Sequence, residues 1–317
     1  MSNDSLVNNS KPLRIGVNTY GWFFDLFEGN DQADDSLRFI RECGFEAIDY
    51  NFEYFLPPDK LRRGELKSIY DLPTNELLRL FSPIKEASQK HGISIAQGHG
   101  PYPLRTQGSE DFDDRVLAAI QKILEVCRYL SCPALVLHAE RPWDLERNMK
   151  FFRRLIPSAV DTGTKICFEN LFIIKKESTD PYCDPISACR YIDMLNEEAG
   201  ADVFGFCYDI GHANITGRNL CEDICALGHR LTALHIHDND GSNDQHLIPF
   251  TQKHPQKRDN RTDWEGLIEG LCHIKYKGTV SFETHCALTD TPRDLVPNAL
   301  RFISSIGHYF RERIENK

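Results

Sequence analysis

The 317-residue sequence has no apolar run near the roughly 20 residues that span a bilayer, and Met1–Ser10 is polar where a secretory signal carries an apolar core. No membrane association is expected, and a cytoplasmic location is. An excess of positive charge is also missing, because 37 Lys+Arg face 47 Asp+Glu, a net charge of −10. Duplex binding leans on phosphate neutralisation, so this balance disfavours nucleic acid as a partner. No Pro/Gly/Ser-rich linker divides the chain. The dinucleotide fingerprint is absent too, since Gly16-Val17-Asn18-Thr19-Tyr20-Gly21 lacks its glycine spacing. Eleven cysteines are an odd count, and no second pair accompanies Cys221 and Cys225. Reduced thiols in a cell interior are therefore expected rather than a disulfide framework or a zinc site.

The chain does contain a repeating order. Short β-rich runs occur at Arg14–Thr19, Ala47–Asn51, Ile93–Gln97, Ala134–His138, Lys165–Glu169, Val203–Asp209, Leu231–His237 and Thr279–Glu283. Between them apolar residues recur at helical spacing, as in Val116, Leu117, Ile120, Ile123, Leu124 and Cys127, or Leu295, Leu300, Ile303 and Ile306. Gly44, Gly92, Gly163, Gly205 and Gly278 stand where a left-handed residue ends a helix and turns the chain into the next strand. Eight units of roughly 40 residues each fit one α/β fold, a single (β/α)8 TIM barrel over residues 13–317, behind an extended or disordered tail over residues 1–12. A doubly wound sheet is the runner-up. Two connections, Phe52–Leu72 and Asn239–Thr262, exceed the usual length and are expected to serve the active face.

In a parallel barrel that face lies at the C-terminal ends of the strands. The runs end in His99, in His138, in Glu169-Asn170, in Asp209-Ile210-Gly211-His212, in His235-Ile236-His237-Asp238 and in Glu283-Thr284-His285. Any one of these alone reads as a satisfied structural residue. Six successive strand ends converging on one rim would crowd carboxylates together, and a divalent cation relieves that crowding most economically. Glu169, Asp209, His235 and Glu283 form a donor set suited to Mn, Zn, Co or Mg. His237 stands two residues from His235 on the same side of the strand and competes with it for the ligand role. His99, His138, His212, Asp244 and His246 remain for further metal ions, for substrate oxygens or for support of the ligands.

At these residues the chain resembles the xylose isomerase-like barrel superfamily of sugar and sugar-phosphate isomerases and epimerases, inosose dehydratases and the endonuclease IV branch. The resemblance runs from Arg14 to about Ile306 and is carried by Phe168-Glu169-Asn170, Asp209-Ile210-Gly211-His212, His235-Ile236-His237-Asp238-Asn239-Asp240-Gly241 and Asp244-Gln245-His246-Leu247. It implies a single-metal site at Glu169, Asp209, the strand-seven His and Glu283, with His212 touching substrate or metal. His99, His138, His212, Asp244 and His246 fall where the endonuclease IV branch holds additional metal. One departure is the segment Pro249–Asp263, which passes through Lys253, His254, Lys257, Arg258 and Arg261. Such a basic loop on an acidic protein suits a substrate phosphate or carboxylate, or is simply a solvated surface loop.

The leading expectation is metal-dependent isomerisation or epimerisation of a sugar, sugar phosphate or related polyol. Glu169 and Glu283 would move a proton from opposite sides of an enediolate, and His212, His237, His99 and Arg258 would bind substrate. Tyr20, Trp22, Phe24, Tyr102 and Trp143 are candidates to shape substrate preference. Dehydration of a keto-polyol begins with the same enolisation and is the near alternative. A multi-metal phosphodiesterase of the endonuclease IV kind is a further one, and a non-catalytic binding barrel the last. The expected partner is a small sugar or polyol, with homo-oligomerisation compatible with all these readings.

Overall fold

Eight short parallel strands form one sheet: β1 (Arg14–Asn18), β2 (Ala47–Asn51), β3 (Ser94–His99), β4 (Ala134–Leu137), β5 (Lys165–Glu169), β6 (Phe204–Asp209), β7 (Leu231–His235) and β8 (Thr279–Phe282). The computed structural model describes residues 12–19, 32–104, 110–139, 145–172, 184–252, 261–289 and 291–316. Strand order is β7-β6-β5-β4-β3-β2-β1-β8, so sequence neighbours are also sheet neighbours. The ring closes just beyond the end of β7, where Ile236 N–H donates to Ser281 O at 2.9 Å and Glu283 N–H donates to Ile236 O at 3.0 Å. This is a (β/α)8 TIM barrel.

Alternation along each strand sorts the side chains into two layers. Leu135, Leu137, Phe168, Phe206 and Phe282 belong to the large core between sheet and helices. Phe168 meets Phe152 at 4.6 Å between ring centroids, and Phe282 stacks on Phe310 of the helix Val296–Glu315 at 6.3 Å. Burying each such side chain contributes about 1.5–3 kcal/mol. The inward positions of β4 to β7, Ala134, Val136, Cys167, Cys207 and Ala233, form a separate small cluster. Small residues suit the narrow barrel interior. One register step further along, the same inward positions are Glu169, Asp209 and His235, so the alternation that fills the barrel also aims the polar residues at its mouth.

The helix Glu110–Leu130 buries the apolar stripe that the spacing predicts. Other expectations need correction. Leu295 does not join the buried face of Leu300, Ile303 and Ile306: it lies in a 3-10 turn before the helix and is exposed. Gly205 lies inside β6 rather than at a helix end, where a Cβ would collide with Thr232 Oγ1, and Gly278 likewise has no positive φ and leaves room for the Tyr276 ring instead. The left-handed helix end before that strand is Gly200 instead, at φ 62°. The segment Phe52–Leu72 is not an open loop. It carries 3-10 turns at Phe52–Phe55 and Ile69–Asp71 and a short helix Pro58–Arg62, tied down by Tyr70 O–H donating to Phe52 O at 2.7 Å. No helix among the described residues is long and apolar enough to cross a membrane.

Candidate functional site

His235, fully buried at the end of β7, is the hub. Its Nδ1 lies 2.9 Å from Glu169 Oε1, 3.4 Å from Glu283 Oε2 and 4.0 Å from Asp209 Oδ2. Its Nε2 lies 3.0 Å from Asp49 Oδ2 on β2, and the same oxygen accepts from Asn18 Nδ2 at 3.2 Å and Gln97 Nε2 at 3.1 Å. Asp49 thus holds the ring from behind and aims Nδ1 at three carboxylates. The donor atoms of Glu169, Asp209, His235 and Glu283 all lie within 4.8 Å of one another. One imidazole and three carboxylates converging this closely fit a divalent cation.

A ring of further imidazoles surrounds this cluster, and three share one arrangement. Nδ1 of His99 donates to Gly100 O (2.9 Å), that of His212 to Asn170 O (2.8 Å) and that of His246 to Glu283 O (3.0 Å). Each bond fixes a tautomer and turns Nε2 inward. His99 Nε2 then lies 3.7 Å from Glu169 Oε2, and the Nε2 atoms of His212 and His246 lie 3.3 and 3.1 Å from Asp244 Oδ2. His138 Nε2 approaches Glu169 Oε2 at 2.9 Å. His237 Nε2 stands 3.1 Å from Asp209 Oδ1 and 3.6 Å from Asp244 Oδ1. His237 therefore groups with Asp209 and His212 and with Asp244 and His246, whereas His235 groups with the four-residue cluster.

The local chain is built to present these groups. Asn170 clamps the ends of β5 and β6, its side chain accepting from Asp209 N–H and donating to Asp209 O, both at 2.7 Å. Asp209 Oδ1 caps the short helix Ile210–Ile215 by accepting from His212 N–H at 2.7 Å. Gly211 is required for close approach, because a Cβ there would overlap the His237 ring. In the next connection, Asp238 accepts from Thr262 Oγ1 at 2.7 Å and from Phe250 N–H at 3.1 Å, and Asn239 Nδ2 donates to Gly211 O at 2.8 Å. Asp238 and Asn239 shape the loop rather than the reaction.

Electrostatics separate the two glutamates. Burial pushes Glu169 up, but His235 and His138 outweigh it and hold the carboxyl well below the usual range. Glu283 is pushed up, chiefly by burial. Burial opposes charge on His99, His212 and His246 as well, yet the surrounding carboxylates raise them to about 9, 10 and 9.

Above the cluster opens a cavity of about 460 Å³, lined by Glu169 and Glu283 and by His99, His138, His212, Asp244 and His246. Its volume lies in the range of small-molecule sites, about 300–1,000 Å³. Glu169 and Glu283 stand three strands apart in the ring, not diametrically opposed, because the sheet order separates β5 from β8 by β6 and β7 on the short path. Arg258, Tyr20, Trp22, Phe24 and Trp143, with Lys253, His254 and Lys257 of the basic segment, lie outside the described residues. Tyr102 does line the cavity. So do Asn51, Glu53 and Arg62, none of which the strand-end argument selected, and His285, which it named at the end of the eighth run. Asp49 was missed as well, although a carboxylate inside the apolar run Ala47-Ile48-Asp49-Tyr50 is a legible signal of a buried partner.

Barrel, rim cluster and cavity together define an α/β-barrel protein with a candidate metal-binding site at its mouth. The chain belongs to the xylose isomerase-like TIM barrel family, whose pattern matches residues 37–306. It is similar to the uncharacterized protein y4fM of Sinorhizobium fredii, 26% identical over 274 residues that cover 78% of this chain and 80% of that protein. Among solved structures it is similar to 3-keto-D-glucoside 4-epimerase from E. coli, with a TM-score of 0.64 and 18% identity over 92% of this chain and 99% of the other. D-psicose 3-epimerase, solved in the presence of D-fructose, gives a TM-score of 0.64 and 15% identity over 94% of this chain and 99% of the other. At these identities the likeness to the solved structures is one of fold.

Proposed function

We propose that the protein is a metal-dependent isomerase or epimerase of a sugar, sugar phosphate or related polyol. The observation that carries this reading is the convergence of Glu169, Asp209, His235 and Glu283 donor atoms within 4.8 Å, under a polar cavity. The epimerase activity of two proteins with this fold supports it. Glu169, Asp209, His235 through Nδ1 and Glu283 would hold the divalent cation. The chemistry that a cation supplies in such a place is polarisation of a substrate carbonyl, which acidifies the neighbouring C–H.

This chain's own residues do the rest. Glu169 Oε2 takes the proton, with His138 Nε2 at 2.9 Å stabilising the carboxylate before the transfer. The Glu283 carboxyl returns a proton from three strands away along the rim. His212 and His99, each locked by its Nδ1 bond, present Nε2 to substrate oxygens. Asp49 holds His235 against rotation.

The test is solvent exchange. Manganese-loaded protein incubated in D2O with a panel of ketoses and inososes is expected to place deuterium on the carbon beside the carbonyl, read by NMR, and Glu169→Gln is expected to abolish it. A product lighter by one water would mark the dehydratase instead. A folded, metal-loaded protein that exchanges no C–H in the panel overturns the reading. One observation favours a second reading: His99, His138 and Glu169, and separately His237, Asp244 and His246, form additional three-donor groups. That arrangement suits a multi-metal phosphodiesterase, for which nicking of abasic-site DNA is the discriminating assay.

A further inference from the structure

Two residues of the cavity lining each carry a buried side-chain acceptor with no hydrogen-bond partner: Asn51, through Oδ1, at the end of β2, and Glu53, through Oε2, in the turn that follows. The backbone that carries them is tied down. Asn51 N–H donates to Thr19 Oγ1 at 3.0 Å, Leu56 N–H donates to Glu53 O at 2.8 Å, and Tyr70 O–H fastens Phe52 between them. Asn51 Nδ2 reaches Glu53 Oε1 at 3.5 Å, a bond that uses neither Asn51 Oδ1 nor Glu53 Oε2. The nearest ring, His99, spends its Nδ1 proton on Gly100 O at 2.9 Å and stays 3.7 Å from Glu53 Oε2. Buried acceptors without donors are costly, so those carried by cavity-lining residues read as places for donors that the ligand brings.

We propose that Asn51 and Glu53 form a hydroxyl-reading subsite, separate from the metal-ligand cluster, that sets which polyol the cavity accepts. The inference rests on the reading of the substrate as a sugar or polyol. His99 lies between the two regions, with Nδ1 3.7 Å from Glu53 Oε2 and Nε2 3.7 Å from Glu169 Oε2. The subsite is therefore one imidazole away from the reacting carbon and contacts hydroxyls that do not react. Acceptors of this kind disfavour an analogue that lacks the hydroxyl, because the acceptor atom is then left buried without a donor.

The experiment is calorimetric binding of D-fructose, D-tagatose and a set of their singly deoxygenated analogues to manganese-loaded wild type, Glu53→Leu, Glu53→Gln and Asn51→Leu. The expected result is that the preferred parent sugar binds Glu53→Leu about tenfold or more weakly than wild type, while one deoxy analogue binds both equally. Glu53→Gln, which keeps the shape and one acceptor, is expected to fall between them. Wild type that binds the sugars with all variants unchanged overturns the subsite alone. Equal losses for every deoxy analogue, the mark of a merely structural role, also overturn it. Wild type that binds none of the sugars overturns the polyol reading and the subsite with it.

Discussion

Asp49 is where the account is most exposed to measurement. Its Oδ2 receives His235 Nε2 at 3.0 Å, Gln97 Nε2 at 3.1 Å and Asn18 Nδ2 at 3.2 Å, with no solvent contact. Burial pushes this carboxyl up, but His235 outweighs burial and holds it below the usual range. Asp49→Ala removes one charge-assisted bond and two amide bonds. Gln97 keeps a second acceptor, Leu234 O at 3.2 Å, so the loss centres on His235. Breaking a buried pair of this kind costs about 3–5 kcal/mol. Asp49→Asn keeps the shape and one acceptor oxygen and is expected to cost about 1–2 kcal/mol. For the cation the carboxamide is the sharper probe. A ligating imidazole held by a weaker partner loses about 10–100-fold in metal affinity, or about 1.4–2.7 kcal/mol. Urea unfolding of the ion-free protein measures the first quantity and Mn²⁺ titration calorimetry the second. Asp49→Asn that binds manganese as tightly as the parent would refute the claim that Asp49 orients a ligand. Asp49→Ala that loses less than about 1 kcal/mol would refute the energetic assignment.

Three further outcomes are expected. Gly211→Ala drives a Cβ into the His237 ring and should cost about 1–3 kcal/mol in urea unfolding while shifting the His237 resonances. Tyr208→Phe removes the buried hydroxyl that donates to Asp223 Oδ2 at 2.7 Å and should cost about 1–2 kcal/mol by the same assay, leaving metal affinity unchanged. In the ion-free protein His99, His212 and His246 are raised to about 9, 10 and 9, above their unfolded value. Their contribution to stability is therefore complete below about pH 6.5 and lost as pH rises through 9 to 10. Thermal melts of ion-free protein should fall across that window. Bound metal should oppose the fall, with proton release on binding seen as a buffer-dependent calorimetric heat.

The barrel was legible because period and alternation are both written along the chain. Glu169, Asp209 and Glu283 end or directly follow apolar runs, and any parallel barrel brings such positions to one rim. His235 and His237 were indistinguishable by alternation. Their separation came from the closing bridge at Ile236 and from Asp49, contributed by a strand 186 residues away. Nothing local marks such a partner. Asn51, Glu53 and Arg62 were hidden for a different reason: Phe52–Leu72 looked like a charged loop, and only packing of Phe52, Phe55, Tyr70 and Phe81 folds it onto the cavity wall. Gly205 was misread because the residue type states a need for space or for positive φ without saying which.

The central claim is that Glu169, Asp209, His235 and Glu283 hold a divalent cation. Elemental analysis of purified protein and of Asp209→Asn, after equilibration with Mn, Co, Zn or Mg and removal of free ions, tests it most directly. One tightly held cation per chain in the parent, lost in the folded variant, is the predicted result. A parent that retains no cation, or a folded Asp209→Asn that retains as much as the parent, would contradict it.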